Sequence, residues 1–290
     1  MDARITTFLT ICQTMNFTKA ARKLALSQPA VTQQIHSLEA EFGVSLFDRT
    51  SRAITLTVAG RLLRDVSVTQ ADDEALLRSQ MRRTEEQPPL TLGATRTIAD
   101  FAVAKPLAGF LGRHPESRIR LKVDNTRSLL SAIRDGVVQC ALVEGSYDPT
   151  LFDAMPWRSE EYLAVCAASH QFPAEPRMLG DLLGERLIIR EPGSGTRQIM
   201  EDVLRLENHS LSQFPHVTEV GSMMTVLECV EQDAGVSFMY RLAAEQGIAS
   251  GALRVLPLRG FPLYHDFTMV WNRGSRFADR YRSLCRELNG

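Results

Sequence analysis

No stretch of this 290-residue chain is apolar for long enough to cross a bilayer, and no basic segment followed by an apolar run opens it. Membrane insertion and secretion are therefore not expected, and a cytoplasmic location is. Close cysteine pairs are also missing: Cys12, Cys140, Cys166, Cys229 and Cys285 are widely spaced, with no CxxC. That spacing fits neither a zinc site nor a redox dithiol, which leaves buried free thiols in a reducing compartment. His36, His114, His170, His209, His216 and His265 are scattered without His-x-x-x-His or His-Glu-x-x-His spacing, so no metal site is expected. Ser194 lies in Pro-Gly-Ser-Gly rather than a Gly-x-Ser-x-Gly elbow, and no carboxylate pair is marked as catalytic. Neither an enzyme nor a cofactor is expected. Charge excess is lacking as well: 33 Lys and Arg stand against 34 Asp and Glu, a net charge of −1. Bulk attraction to nucleic acid is thereby excluded, although specific contact is not.

The first sixty residues supply specific contact. Thr18 stands where a helix N-cap is expected, and Ala20, Ala21 and Leu24 give the helix after it an edge of mostly small side chains that a second helix can cross closely. Ser27 is placed to cap that second helix, with Pro29 tolerated in its first turn. Val31, Ile35 and Leu38 recur at i, i+4, i+7 and predict one inward stripe. The opposite face carries Pro29, Gln33, His36 and Ser37, flanked by Ala30 and Thr32. Amides, hydroxyls and small groups of this kind can read base edges in a major groove, which makes Gln28, Ala30, Thr32 and Gln33 the candidates for base contact. Arg22, Lys23, Arg49 and Arg52 flank them as candidates for phosphate contact. Through Asp65 the cations Arg4, Lys19, Arg22, Lys23, Arg49, Arg52, Arg61 and Arg64 outnumber the anions Asp2, Glu39, Glu41, Asp48 and Asp65 only slightly. Base contact and twofold symmetry must supplement electrostatics.

The stretch resembles the N-terminal domain of LysR-type transcriptional regulators. The resemblance is carried by Phe17, Ala20-Ala21, Leu24, Ser27-Gln28-Pro29-Ala30-Val31, Ile35, Leu38-Glu39, Gly43, Leu46-Phe47, Arg49, Arg52, Leu56-Thr57 and Ala59-Gly60. Thr18 and Thr32 stand where the family often has Ser, and both keep the hydroxyl. The resemblance implies a winged helix-turn-helix over residues 1–60 that binds double-stranded DNA.

From Thr57, a cap, a helix is expected to run to about Glu86, before Pro88-Pro89, giving a linker over 57–87 that is ~40 Å long. Leu62, Leu63, Val66, Leu76, Leu77 and Met81 form an intermittent apolar seam that Asp72-Asp73-Glu74 interrupts. So little core suggests pairing with a second copy, and family resemblance implies dimerisation through this helix. Residues 89–290 read as α/β. Strands at 90–94, 119–123 and 140–143 alternate with helices over Ile98 to His114 and around Leu129 to Ile133, implying a parallel sheet with right-handed crossovers. A second series begins near Glu161, with strands Tyr162–Cys166, Leu187–Arg190, Val217–Val220 and Val236–Tyr240, and the chain returns through Tyr264–Trp271 and a closing helix. The expected architecture is two-lobed, as in periplasmic solute-binding proteins. Lobe I comprises 89–160 and 266–290, lobe II 161–265, with hinge strands near Trp157–Glu161 and Leu263–Asp266.

Ligands of open α/β sheets bind beyond the carboxyl ends of strands, where helix N-termini offer free N–H groups. Three such turns carry suitable chemistry: Thr95-Arg96-Thr97, Asn125-Thr126-Arg127-Ser128, and Glu191-Pro192-Gly193-Ser194-Gly195-Thr196-Arg197. Ser222 and Met223 open a further helix as a fourth candidate contact. Arg96 and Arg197 can pair with an anion, or with Glu144 and Glu191. The 190–197 motif, with Asn125-Thr126 and Val143-Glu144-Gly145, resembles the LysR branch that regulates carbon fixation and sulfur assimilation, which implies a small anionic effector. One departure is Gln139-Cys140, where the family usually has Asp near position 139. The combined reading is a DNA-binding regulator acting on an inverted-repeat site as a homodimer, and further as a homotetramer, switched by a small molecule and with RNA polymerase as a possible partner. The rivals are a cytoplasmic solute-binding protein without DNA readout and, last, an enzyme.

Overall fold

The computed structural model describes residues 2–48, 54–81, 89–276 and 278–289. Three helices open the chain: α1 (Ala3–Thr14), α2 (Phe17–Lys23) and α3 (Gln28–Phe42). The cap of α2 is Asn16, whose side chain accepts from Lys19 N at 2.9 Å; Thr18 is not the cap but sits exposed within the first turn. Asn16 is the residue still in extended geometry, so its side chain reaches the third helical N–H, while Thr18 is already helical. Ser27 does cap α3, accepting from Ala30 N at 3.3 Å. Ala20 and Ala21 are buried where α2 meets its neighbours, and Val31, Ile35 and Leu38 fill the small core with Phe8, Ile11 and Leu46. Gly43 ends α3 in the left-handed region at φ 66°, which a glycine adopts without steric cost.

A two-residue ladder follows, β1 (Phe47–Asp48) antiparallel to β2 (Thr55–Leu56). Arg49 and Arg52 lie outside the described residues. Helix α4 (Val58–Met81) begins at Thr57, whose hydroxyl accepts from Gly60 N at 2.9 Å and donates to Ser45 O at 2.7 Å. Its 24 residues measure about 36 Å. The last part of the expected linker, 82–87, lies outside the described residues. Val58, Leu62, Val66, Leu77 and Met81 are exposed along α4, while Val68 is buried. The face carrying Asp65, Asp72 and Asp73 docks on the α/β region of the same chain: Asp65 meets Arg134 at 2.8 Å, Arg64 meets Asp135 at 3.2 Å, and Ser275 Oγ donates to Asp73 at 2.9 Å.

The α/β region opens with β3 (Leu90–Thr95), α5 (Arg96–Phe101), α6 (Ala104–Arg113), β4 (Ile119–Asp124), α7 (Thr126–Arg134) and β5 (Cys140–Val143). β3 pairs in parallel with both β4 and β5, as expected. The single helix expected over Ile98–His114 is instead two, broken at Ala102–Val103. Pro106 is the reason: inside a continuous helix it would delete a hydrogen bond and clash with the preceding turn, whereas the break puts it in the first turn of α6. Next come β6 (Phe152–Ala167), β7 (Arg186–Arg190), α8 (Gly195–Leu206), β8 (His216–Val220), α9 (Met223–Glu231), β9 (Ser237–Tyr240), α10 (Arg241–Ser250), β10 (Leu253–Val255), β11 (Leu263–Asn272) and α11 (Ala278–Glu287).

The hinge strands are continuous rather than short. β6 is 16 residues long and pairs antiparallel with β11 over almost the whole of the latter. One seven-stranded sheet, ordered β10-β6-β11-β5-β3-β4 with β9 also on β6, therefore runs through both lobes. The parallel pair β7–β8 stands apart in lobe II. Because β6 is buried from Tyr162 to Ala167 and β11 from Phe267 to Trp271, the two crossings form the stiff spine on which the cleft-facing turns are hung.

Candidate functional site

Two surfaces carry the chemistry. On α3, Gln28, Pro29, Gln33, His36 and Ser37 are exposed, and Ala30 and Thr32 are half-buried beside them. The neighbouring glutamine turns the other way: Gln34 Oε1 accepts from Thr7 Oγ1 at 2.5 Å and ties α3 to α1. One glutamine thus fixes the helix while the other presents its amide outward. Arg22 is exposed at the end of α2, and Lys23 donates to Gln13 at 2.7 Å.

The second surface is the seam between the lobes, built on Glu144 at the carboxyl end of β5. Its Oε1 accepts from Thr196 Oγ1 at 2.8 Å and from Thr97 Oγ1 at 3.2 Å. Thr97 belongs to α5 in lobe I and Thr196 to α8 in lobe II, so one carboxyl oxygen joins the two. Thr126 Oγ1 donates to the Glu144 carbonyl at 2.6 Å, and Tyr162 Oη donates to Thr196 O at 2.8 Å. Backbones touch there too. A Cβ on Gly195 would collide with the Glu144 carbonyl, so only glycine lets α8 start this close. Burial pushes the Glu144 carboxyl up to about 7, against the pull of Thr196, Arg190 and Thr97.

Four polar atoms at this seam are buried without a hydrogen-bond partner among the described residues: Thr95 Oγ1, Glu144 Oε2, Arg190 Nη1 and Ser194 Oγ. All four residues are at most 3 % exposed, and each lies at the end of a strand or the start of a helix. Arg96 straps the lobes from the rim, pairing with Glu191 and donating to Gly221 O at 3.1 Å. Burial raises the Glu191 carboxyl, but hydrogen bonding and charge from Arg190, with Arg96, hold it below the usual range. Asn125 caps α7 through Ser128 N at 3.0 Å and also reaches Glu191 at 3.4 Å. Beside the seam, Thr126 and Arg127 of lobe I and Ser194 and Arg197 of lobe II line a cavity of about 380 Å³.

Thr95, Arg96, Thr97, Asn125, Thr126, Glu144, Ser194, Gly195 and Thr196 are brought together at the seam. Arg197 pairs with neither Glu144 nor Glu191: it meets Glu201 and Glu219, each at 2.6 Å, because one helical turn places Glu201 directly above it. Ser222 caps α9, accepting from Thr225 N at 3.4 Å, and Met223 is a buried core residue. Arg190 opens the 190–197 motif but is not among the effector-contact residues expected from the sequence, because its place at the end of an apolar strand does not mark it as buried at the seam. Tyr162, at the strand crossing, gave no signal.

The raised carboxyl has a pH consequence. Between the ordinary value near 4.5 and about 7, the folded chain keeps a proton on Glu144 that the unfolded chain has released. Stability from this group is thus present at low pH and falls as pH rises through that window. In urea denaturation at pH 5.5 and 8.0, Glu144→Gln is expected to lose part of the drop seen in the parent chain. An equal drop in both chains contradicts a neutral Glu144.

Residues 3–61 match the bacterial regulatory helix-turn-helix model of the lysR family, and residues 83–289 match the LysR substrate binding domain. The HTH-type transcriptional regulator CfxR of Cupriavidus necator is 31% identical over 96% of this chain and 87% of its own length. CbbR of Xanthobacter flavus is 30% identical over 93% and 81%. The crystal structure of ArgP from Mycobacterium tuberculosis has the same fold, with a TM-score of 0.74 at 14% identity, covering 100% of this chain and 97% of that one. With a DNA-reading helix pair at one end and a two-lobed effector domain occupying the rest, this chain belongs to the LysR family: it is a transcriptional regulator, not an enzyme.

Proposed function

We propose that the interlobe seam is the effector site, and that the effector is a small oxyanion or short acid. The unpartnered buried atoms are the observation behind this reading. Arg190 Nη1 and Ser194 Oγ offer donors to negative oxygen, close to the positive end of α8. Glu144 Oε2, which carries the proton of the neutral carboxyl while Oε1 accepts two hydroxyls, is a further donor, and Thr95 Oγ1 serves either way. With Glu144 neutral, an anion accepts from Arg190, Ser194 and the Glu144 O–H together. The effector switches the regulator by favouring one arrangement of the lobes, and only its differential affinity for that arrangement does work.

We assign DNA reading to Gln28, Ala30, Thr32 and Gln33, with Thr18, Arg22, Lys23, Ser27, Arg49 and Arg52 toward the backbone. The exposed edge of α4, with Val58, Leu62 and Val66, is suited to a second copy in an antiparallel or crossed pair. A dimer then sets two α3 helices on an inverted repeat, about one helical turn apart. A tetramer, contact with RNA polymerase and a cytoplasmic location complete the reading, with residues 1–60 as reader, 57–87 as linker and 89–290 as effector domain.

Two outcomes test it. In a thermal-shift series with hydrogenphosphate, sulfate and short hydroxy-acids, an anion bound at the seam should stabilise the protein by roughly 2–3 kcal/mol at a hundredfold excess over Kd. Ser194→Ala should remove that gain, and a gain unchanged by Ser194→Ala places the ligand elsewhere. Separately, Gln33→Ala should cost about 1–3 kcal/mol on the specific site and far less on random duplex. Equal losses on both in a gel-shift titration would take Gln33 out of base readout.

A further inference from the structure

The two central parallel strands of lobe I run from the linker helix to the effector seam. At one end of β3 and β5 are Thr95, Thr97 and Glu144 of the seam; at the other are Thr91 and Gln139, under α4. β5 is buried at all four residues, clamped between β3 and β11, and spans about 13 Å. Gln139, just ahead of it, joins β3 and faces α4. Its Oε1 accepts from Thr91 N at 2.9 Å, its own N–H donates to Thr91 O at 3.1 Å, and its side chain faces the Asp72 carboxyl of α4 across a small cavity that both line. An aspartate at 139 could also accept from Thr91 N, but it would set a second carboxylate against Asp72. Glutamine alone of the two supplies the acceptor and the donor together.

We infer that the Asp72–Gln139 pair is the joint through which the state of the Glu144 seam reaches the linker helix, with β5 as the rod between them. The inference rests on the reading of the seam as the effector site. Gln139 is a positioning residue: it touches neither DNA nor the seam. Around the joint stand Asp73 on the same helix, Tyr281 and Arg280 on α11, and Cys140 on β5. Burial pushes the Asp72 carboxyl up to about 7, with the Gln139 amide opposing that rise and Asp73 adding to it, as fits a carboxyl held against the protein rather than in water. Beside the joint, between α4 and lobe I, lies a cavity of about 460 Å³ bordered by Asp65, Thr69, Asp73, Arg134 and Asn272. Helix α4 is therefore held to the lobe by discrete polar contacts with space between them, an arrangement that can shift without unpacking a core.

The test perturbs the seam and reads the helix, with no ligand. Amide hydrogen exchange of residues 62–76 is followed in the full-length protein with and without Thr196→Ala, which removes a donor to Glu144. Thr97→Ala, which removes the other donor, serves as a second seam change should Thr196→Ala fail to fold. Exchange in α4 is expected to change by about threefold or more, the size typical of coupled residues. In a Gln139→Glu background, which keeps the acceptor for Thr91 but faces Asp72 with a like charge, that response should vanish. Adding Asp72→Asn to Gln139→Glu restores a donor–acceptor pair with reversed roles and should restore the response. A response unaffected by Gln139→Glu, or no response of α4 to either seam change, overturns the joint. Failure of the effector reading shows instead in the anion series, independently of this result.

Discussion

The buried carboxyl of Glu144 ties hydroxyls of the two lobes together at the seam. Placing an unpaired carboxylate in an apolar interior is costly, and the chain answers in two ways: hydroxyls from both lobes donate to Oε1, and burial pushes the group toward its neutral form. The surrounding geometry follows from that choice. Gly195 must lack a side chain for α8 to approach, Thr126 must secure the Glu144 carbonyl, and Tyr162 must hold the first turn of α8. Arg96 reinforces the seam from outside, where its pairing with Glu191 is partly screened by solvent and so contributes less.

This arrangement suits a switch because it is poised between satisfied and unsatisfied. Oε1 has its donors while Oε2, Ser194 Oγ and Thr95 Oγ1 lack partners among the described residues, at a location where burial makes each such atom expensive. The strands carrying Thr95 and Glu144 start beneath α4, and α4 starts at the DNA-reading unit. The seam and the helix-turn-helix unit are thus linked through β3, β5 and α4. Net charge contributes little to this design: at −1 overall, bulk electrostatics give the chain no general attraction to a polyanion.

Much of this was legible in the sequence wherever local period or turn chemistry decides the outcome. Val31, Ile35 and Leu38 announced the buried stripe of α3, Ser27 its cap, and the turns at 95–97, 125–128 and 191–197 the rim of the seam. Misreadings arose where the decisive fact lies one step further. Thr18 and Asn16 are both capping residues, and only the backbone entering α2 selects Asn16. The helix over 98–114 reads as continuous by period alone, and Pro106 requires the break. Arg197 found its partner one turn along its own helix, a local pairing that competes with any ligand. Least legible was Asp72-Asp73-Glu74, which read as a break in an apolar seam. Its partners Gln139 and Ser275 are distant in sequence, and no pattern within the helix reveals them. The departure at Gln139 was visible, but its meaning needed Asp72 beside it.

The protonation state of Glu144 is the point on which the seam depends, and difference infrared spectroscopy observes it directly. Subtracting the spectrum of Glu144→Gln from that of the parent chain isolates this carboxyl. A protonated carbonyl band that persists to about pH 7 and is lost above it is the expected result. A band already gone by about pH 5, the behaviour of a solvated glutamate, would contradict a neutral bridge between the lobes.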